Sequence, residues 1–525
     1  MTRVLRQPTV VPARTTDQAS SGAQAARTLS PTSGLAPAPG EESRRWVALV
    51  FIALAQLMVA LDATVVNIAL PTAQASLQFA DAQRQWVITS YTLAFGGLLL
   101  LGGRLADAVG RKQALLIGLA GFAAASALSG AAVSLGMLLI ARALQGLFAA
   151  VLAPTALSLL AVTFTEPRDR AKAFAVYGAI AGSGGAAGLI LGGVLTQYLD
   201  WRWCLYVNVP IAAIAGLGTW RVLGDARPAG RQRFDLIGVL LGSGGLAALV
   251  DACTEAVTQG WQAPRVTALL VAGLTSLGLF VAYESRTATP LLPLRILLNR
   301  NRGGAYLCAA LAIGGMFGAF LFLTYYLQAV LGYPPLQAGL AFLPLSAGAL
   351  VGSGLIASRL LPRVPPRALL VPGFLTAAAG MAVLTQLQAS SSYATHVLPA
   401  EILLGLGIGC VMVPTSSLAT TGGDPRDAGV ASATLNASQQ IGASLGTALL
   451  NTLAAIASGA YLAAQPAATR AEALVHGYAA AASWSAAILG LAALLAAWLI
   501  AAGPPRQRPP QAAEANRVEK PGLTP

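Results

Sequence analysis

Two charged residues, Asp62 and Arg142, stand inside long apolar stretches of the sequence, where an ionised side chain is costly. On lenient scales a charge at the centre of a bilayer costs ~2.5 to 3.5 kcal/mol, so such a residue usually faces a cavity or a partner. Both lie ~10 to 12 Å from the predicted outer ends of their helices, at 1.5 Å per residue. We therefore expect them to pair, with Arg142 holding Asp62 ionised until a proton or a cationic substrate breaks the pair. A static salt bridge that joins two helices is the alternative.

Other polar and aromatic side chains in apolar stretches are candidates for lining a substrate cavity. They are Gln56, Trp86, Tyr91, Gln145, Tyr325, Gln328, Asn436 and Gln440. Asn436 and Gln440 are four residues apart and share one helix face, although hydrogen bonding between helices would explain them equally well. Packing in the core is the competing interpretation for the aromatic residues.

The remaining ionisable residues suggest no further chemistry. Glu401, near His396, and the Asp251/Glu255 pair are expected at the level of the lipid headgroups. The two histidines and four cysteines show no metal-ligand spacing, and the sequence has no Walker A loop. Neither a metal, a cofactor nor ATP-driven work is therefore expected, and energy must come from an ion gradient.

The elements that position these residues are membrane-spanning helices. Of the 525 residues 56% are hydrophobic and only 10% are charged, against about 25% charged in soluble proteins, which excludes an ordinary soluble enzyme. Helices of ~20 residues cross a bilayer. The sequence predicts fourteen of them, at residues 46–69, 85–103, 113–133, 135–163, 172–198, 203–223, 234–254, 265–284, 304–330, 337–360, 367–387, 397–420, 434–460 and 481–502.

The distribution of basic residues predicts the orientation of these helices. Alternating loops place 28 of the 33 Lys and Arg residues on one side, which by the positive-inside rule is cytoplasmic. The opposite side holds only Arg84, Arg202, Arg265 and Arg470, and Arg142 remains inside a helix. Both termini are predicted to be cytoplasmic. The net charge of +13 thus reflects membrane orientation and not nucleic-acid binding.

The segment from Gly103 to Lys112 reads Gly-Arg-Leu-Ala-Asp-Ala-Val-Gly-Arg-Lys and is expected to form a short cytoplasmic turn. It resembles the signature loop of the major facilitator superfamily, Gly-x-x-x-Asp-x-x-Gly-Arg-Lys, with Gly103, Asp107, Gly110, Arg111 and Lys112 in the pattern. An Asp107/Arg111 pair at such a hinge could form in one state and break in another, which would bias alternating access. An ordinary solvated loop is the alternative.

Further segments resemble motifs of the fourteen-helix drug:proton antiporters, the EmrB/QacA type, within that superfamily. They are Leu-Asp-Ala-Thr-Val-Val-Asn-Ile-Ala-Leu-Pro at 61–71, Arg-Ala-Leu-Gln-Gly at 142–146, Trp-Arg-Trp at 201–203 and Asn-Val-Pro at 208–210. The resemblance implies a major facilitator fold, an all-α membrane protein of two six-helix bundles around a central cavity. The predicted organisation is a disordered tail at 1–45, bundles at 46–224 and 304–503, two additional helices at 225–303, and a tail at 504–525.

The fifth-helix motif of that family, Gly-Pro-x-x-Gly-Gly, is altered here. The chain has Gly188, Gly192 and Gly193 in place, but Leu189 stands where the family has proline. Gly184, Gly188 and Gly192 lie four residues apart on one face, which allows close helix approach. In the family that it resembles, this motif is associated with the direction of exchange. For the glycines that remain here, packing alone is the competing interpretation.

Together these patterns predict a proton-coupled secondary transporter of the bacterial inner membrane. It would export amphipathic or cationic small molecules in exchange for protons, with the lipid bilayer around it and no nucleic acid or obligate protein partner. It is not expected to be an enzyme. The alternatives are a proton-coupled importer, a uniporter, or a non-transporting sensor on the same fold.

Overall fold

The computed structural model describes residues 39–164, 166–224, 235–287, 290, 294–420 and 428–503. Within these ranges the chain is helical and contains no strand. The predicted tail at 504–525 lies outside the described residues, as do residues 1–38 of the predicted tail at 1–45. The first helix begins at Pro39, within that tail segment.

The main helices are numbered in chain order. They are α1 Pro39–Leu77, α2 Gln85–Val109, α3 Arg111–Gly130, α4 Leu135–Thr163, α5 Pro167–Tyr198, α6 Asn208–Val222, α7 Leu236–Gln259, α8 Pro264–Glu284, α9 Arg300–Tyr325, α10 Pro335–Ala341, α11 Leu343–Leu350, α12 Arg367–Leu384, α13 Leu398–Thr420, α14 Ala428–Ala464 and α15 Arg470–Leu499. Shorter pieces are a 3-10 turn at Asp81–Gln83, single helical turns at Trp203–Tyr206, Leu294–Leu297 and Ser358–Leu360, and π-helical segments at Tyr326–Val330, Val351–Ala357 and Tyr393–Val397.

Thirteen helical segments of the described residues are long and apolar enough to cross a membrane. The predicted span at 85–103 lies in α2, a helix of 25 residues that is not among those thirteen. The all-helical membrane fold is therefore confirmed, whereas the exact count of fourteen spans stays a prediction.

One predicted span, at 337–360, is interrupted near its start. α10 ends at Ala341 and α11 begins at Leu343. Pro344 explains the break, because proline has no backbone N–H and its ring clashes with the preceding helical turn. The segment from Pro335 to Leu360 still forms one apolar crossing.

The bundle formed by the first six predicted spans contacts the bundle formed by the last six through two pairs of helices. α2 packs against α14, where Gly96 contacts Gln440, and α5 packs against α10. The additional helix α7 packs against both α2 and α14. At its end, Gln85 donates to Thr254 Oγ1 (3.0 Å) and Thr452 donates to the Cys253 carbonyl (2.7 Å), so α7 is tied to both bundles.

Candidate functional site

Asp62 on α1 and Arg142 on α4 form a buried ion pair. Arg142 Nη1 lies 2.7 Å from Asp62 Oδ2, and the two residues are 0% and 1% exposed. The structure thus brings together the two intramembrane charges that the sequence placed at matching depth. The role of the pair in proton coupling remains a prediction.

Three donors surround the Asp62 carboxylate. Besides Arg142, Gln145 Nε2 donates to Oδ1 at 3.0 Å and Asn208 Nδ2 donates to the same oxygen at 2.8 Å. An ionised carboxylate only accepts hydrogen bonds, and charge-assisted bonds of this kind are the strong ones. The arrangement therefore suits the ionised form of Asp62 in this conformation.

Gln145 links the Asp62–Arg142 pair to α3. It lies three residues after Arg142 on α4, so the two side chains share one helix face. Its Nε2 also donates to Ser126 Oγ at 2.7 Å, and its Oε1 accepts from Ser129 Oγ at 3.1 Å and from Arg142 at 3.0 Å. Gln145, predicted as a cavity residue, thus belongs to the network that orients Asp62 and Arg142.

The other face of Arg142 is turned towards α2. Its Nε donates to the Val87 carbonyl at 3.2 Å, and its guanidinium carbon lies 4.5 Å from the centre of the Tyr91 ring, a cation–π contact. The Tyr91 hydroxyl is buried and has no hydrogen-bond partner among the described residues. It is therefore available to a molecule that enters the adjacent cavity.

A cavity of about 160 Å³ lies against Arg142 and between the two bundles. Its lining comes from α1, α2 and α4 on one side and from α9 and α14 on the other. The lining residues are Ala63, Val66, Ile88, Tyr91, Thr92, Arg142, Ile313, Phe317, Gln439 and Gln440. Drug-sized ligands occupy pockets of roughly 300 to 1,000 Å³. The cavity must therefore widen to hold such a molecule.

Only some of the predicted cavity residues reach this cavity. Tyr91 and Gln440 line it. Asn436 instead donates to the Ser432 carbonyl of its own helix at 3.1 Å. Its four-residue spacing from Gln440 therefore does not bring both amides to the cavity.

Three further candidates lie elsewhere. Gln56 accepts a hydrogen bond from Tyr177 Oη at 2.6 Å, which joins α1 to α5. Gln328 donates to the Ile68 carbonyl at 2.9 Å and joins the π-helical segment after α9 to α1. Trp86 is half-buried near the start of α2 and is not part of the cavity lining.

A cluster of polar and aromatic side chains closes the end of the molecule that the charge distribution predicts to face outward. We call it the outer cluster; its members are Gln74, Asp81, Arg84, Tyr325, Asn451, Arg470 and Tyr478. Arg84 is only 3% exposed, donates from Nε to Asn451 Oδ1 at 2.9 Å, and lies 4.3 Å from the centre of the Tyr325 ring. Tyr325, a predicted cavity residue, also donates to Gln74. The cluster thus joins the two bundles at one end.

Asp81 anchors the exposed part of the outer cluster. Its carboxylate accepts from Gln74 Nε2 at 2.7 Å and from Arg470 Nη2 at 3.0 Å. Burial alone raises the pKa of Asp81, but the Gln74 hydrogen bond and the positive charges of Arg84 and Arg470 outweigh it and hold that pKa below its usual range. Asp81 therefore stays ionised and keeps its contact with the opposite bundle at neutral pH.

The glycines of the fifth-helix motif face α1 and α10. A Cβ at Gly184 would lie 2.7 Å from Ala60 Cβ, one at Gly192 would lie 2.9 Å from the Val65 carbonyl, and Gly188 abuts Thr64. Gly193 instead faces α10, where a Cβ would lie 2.6 Å from Leu336 Cα. The small residues thus permit close packing on two sides. α5 contains no proline after its first turn, so Leu189 lies within a continuous helix.

The signature segment is mostly helical and not a turn as expected. α2 continues through Gly103 to Val109, and α3 starts at Arg111. The chain reverses at Gly110 alone, whose φ of 102° favours glycine. Arg111 and Lys112 are half-buried in the first turn of α3. The Asp107 side chain is outside the described part of the structure, so its pairing with Arg111 stays a prediction.

The structure has a buried ion pair beside a cavity, and the cavity lies between two bundles of apolar helices that are joined at one end. This is the arrangement of a membrane transporter with alternating access. The chain belongs to the Major Facilitator Superfamily, whose family model matches residues 52–447. The predicted family is thereby confirmed.

Known relatives and solved structures agree with this assignment. The chain is 54% identical to the puromycin resistance protein pur8 of Streptomyces alboniger over 466 residues, which cover 88% of this chain and 92% of that protein. It is 40% identical to the cephamycin export protein CmcT of Amycolatopsis lactamdurans, covering 77% and 84% of the two chains. The crystal structure of a bacterial homologue of the human lysosomal transporter Spinster matches the fold with a TM-score of 0.63 at 18% identity, over 88% of this chain and 97% of that one.

Sequence reasoning missed several residues of the site. Asn208 was noted only as part of a motif, and its bond to Asp62 depends on how α6 packs against α1. Arg84 and Arg470 carried a signal, because they are basic residues on the side where few occur. Their partners Asn451 and Asp81 lie 367 and 389 residues away in the chain, which no local pattern reveals.

Proposed function

We propose that the chain exports antibiotic-like, amphipathic or cationic small molecules from the bacterial cytoplasm in exchange for protons. The names of its relatives describe antibiotic resistance and export proteins, among them a puromycin resistance protein at 54% identity. Puromycin is therefore the first substrate to test. The proton gradient supplies the energy, no cofactor takes part, no covalent chemistry is catalysed, and both termini face the cytoplasm.

The observation that carries the proposal is the position of Asp62 directly behind Arg142. Arg142 lines the cavity, whereas Asp62 does not and contacts Arg142 at 2.7 Å. With Asp62 ionised, the pair is neutral and the cavity accepts a cationic guest. A proton on Asp62 cancels the negative charge and leaves Arg142 positive at the cavity wall.

The size of this effect is sufficient for exchange. Two unit charges 4 Å apart interact by about 4 kcal/mol at an effective dielectric constant of 20. At 1.4 kcal/mol per tenfold, that repulsion weakens the binding of a cation by roughly a thousandfold. Proton binding and cation binding would thus exclude each other, which is the requirement for antiport.

The described conformation suits loading from the cytoplasm. The outer cluster joins the bundles at the predicted outer end through Arg84–Asn451 and Asp81–Arg470. Release to the outside then requires these contacts to open. We infer that this is the state in which the protein exchanges a proton for substrate on the cytoplasmic side.

Transport into everted membrane vesicles tests the proposal. With an acidic lumen, vesicles containing the wild-type protein should accumulate puromycin, and an uncoupler should abolish the accumulation. Asp62→Asn removes the titratable group and should lower the pH-driven rate more than tenfold. Asp200→Asn is the matched control, because Asp200 is a half-exposed loop carboxylate that pairs with neighbouring Arg202. Wild-type rates in the Asp62→Asn vesicles would contradict the coupling role, and movement of puromycin in the same direction as protons would contradict export.

A further inference from the structure

Glu401 is a second acidic residue buried in the bundle, away from Asp62. The sequence places it at the headgroup level, but the structure buries it completely, with 0% exposure, in the first turn of α13. No Lys, Arg or His of the described residues pairs with it, and its Oε1 has no hydrogen-bond partner there. An ionised carboxylate without a partner costs several kcal/mol in such a site.

The contacts of Tyr393 show which form of Glu401 fits. The Tyr393 hydroxyl lies 2.7 Å from the Ala341 carbonyl oxygen and 3.4 Å from Glu401 Oε2. A hydroxyl has one proton, and the shorter contact to a carbonyl, which can only accept, takes it. The longer contact to Glu401 Oε2 exceeds the ~2.5 to 2.7 Å of a charge-assisted hydrogen bond to a carboxylate, so it offers an ionised Glu401 little stabilisation.

Ala341 is the last residue of α10. Its carbonyl lies at the break before Pro344, where the regular helical hydrogen bonds are interrupted. The Tyr393 hydroxyl therefore caps the end of α10. If Glu401 were ionised, its carboxylate would compete for the Tyr393 proton and weaken that cap.

α10 also makes most of the contacts between the second bundle and α5. The Leu336 N–H donates to Gln197 Oε1 at 3.1 Å, and Gly339 packs against the Leu189 carbonyl. Gly193, on the same helix α5, packs against Leu336. A shift of α10 would therefore change the contact between the two bundles at the predicted outer end.

We propose that Glu401 is a proton-binding site distinct from Asp62, and that its proton, through Tyr393 and the end of α10, stabilises the contact between α10 and α5. The proton comes from the outer side, because Tyr393 is half-buried and follows exposed Ser392. Acidic external medium thus favours closure of the outer end. The proposal rests on the fold and not on the identity of the substrate.

The ionisable groups around Glu401 are few. Besides Tyr393, they are Tyr333, which lies in the loop before α10 and is close enough to act on Tyr393, and His396, which lies in the segment before α13 with its Nδ1 2.8 Å from Thr395 Oγ1. Residues 335–350, which form α10 and α11, include no ionisable side chain, and neither do residues 376–384 of α12. The pH response of this region should therefore follow the loss of the proton from Glu401.

Infrared spectroscopy of the purified protein tests the protonation state. At neutral pH the wild-type protein should show the C=O absorption of a protonated carboxyl, and Glu401→Gln should lose it. Glu255→Gln is the matched control and should leave the band unchanged, because Glu255 pairs with Arg265 at 3.0 Å. An unchanged band in Glu401→Gln would overturn the proposal.

Distance measurements between spin labels test the link to closure. Labels at Tyr198 and Leu462, which are 67% and 40% exposed, report on the outer ends of α5 and α14. In an Asp62→Asn background, which removes the other proton site, raising the pH should increase the open population by up to about tenfold per pH unit. Glu401→Gln should stay closed, and Tyr393→Phe, which removes the cap, should be more open at every pH. A pH response that persists in both variants would contradict the proposal.

Discussion

Asp62 shows how a few hydrogen bonds can decide the state of a buried charge. Its Oδ1 accepts from Gln145 and Asn208, and its Oδ2 contacts Arg142. Each hydrogen bond to a charged group contributes about 1.5 to 3 kcal/mol. The ionised state therefore depends on α3, α4 and α6 holding their positions, so a helix movement that removes one donor would promote protonation.

Removal of the Asn208 donor provides a test at the residue scale. Asn208→Ala removes one hydrogen bond to the Asp62 carboxylate, a loss of about 1.5 to 3 kcal/mol, and should lower the initial rate of proton-driven puromycin transport by roughly tenfold or more. Asn436→Ala is the control, because the Asn436 amide donates to its own helix. Equal initial rates for wild type and Asn208→Ala in vesicles would show that this bond does not support the role of Asp62.

The pairing of Asp62 with Arg142 could be predicted from the sequence for a physical reason. An intramembrane charge is so costly that Asp62 and Arg142 stand out, and the helical rise gives their depth. Sequence reasoning did not foresee the burial of Glu401, because a position four residues from a helix end is equally compatible with exposure to headgroups and with burial against a neighbouring helix. It also placed Gln145 and Asn436 at the cavity, since helix rotation cannot be read from residue type.

At the scale of the helices, α5 packs closely against neighbours on two sides. Gly184, Gly188 and Gly192 contact α1, and Gly193 contacts α10. The four-residue spacing of glycines predicted close approach, but the partner helices follow only from the tertiary structure. Leu189 in place of proline is compatible with this packing, because it is buried in a continuous helix.

Two alanine substitutions on α5 test this packing. At Gly188 a Cβ would meet Thr64 and lie 3.0 Å from the Leu61 carbonyl, whereas at Gly185 it would lie 3.9 Å from Thr64 Cγ2. Gly188→Ala should therefore destabilise the protein by about 1 to 3 kcal/mol, as overpacked positions do. Gly185→Ala should be near neutral. Thermal unfolding in detergent measures both, and equal melting temperatures would contradict the assigned contacts.

At the scale of the whole molecule, the two bundles are held together at one end by charges from distant parts of the chain. The all-helical fold and the family could be predicted from composition and motifs, but the outer cluster could not. Its contacts join residues near 80 to residues near 450 and 470, which local sequence patterns do not relate. The four basic residues on the predicted outer side all have partners in the structure, for Arg202 is paired with Asp200 and Arg265 with Glu255.

Arg84→Gln tests the role of the outer cluster. The change removes the buried cation that contacts Asn451 and Tyr325, and should shift the protein towards the state open at the outer end by roughly tenfold, which corresponds to ~1.4 kcal/mol. Arg265→Gln is the control, because its charge lies on the same side but outside the cluster. Spin-label distances between the outer ends of α5 and α14 measure the shift, and an unchanged distribution in Arg84→Gln would exclude a closing role.

The central claim is that a proton on Asp62 and a cationic substrate on the cavity side of Arg142 exclude each other. The most direct test is the pH dependence of puromycin affinity for the purified protein, measured by calorimetry. For the wild type, affinity should fall as pH falls, by up to about tenfold per pH unit when one proton is displaced per bound molecule. Asp62→Asn, which imitates the protonated state, should bind weakly with no pH dependence. An Asp62→Asn protein that binds puromycin with the same affinity and pH dependence as the wild type would contradict the account.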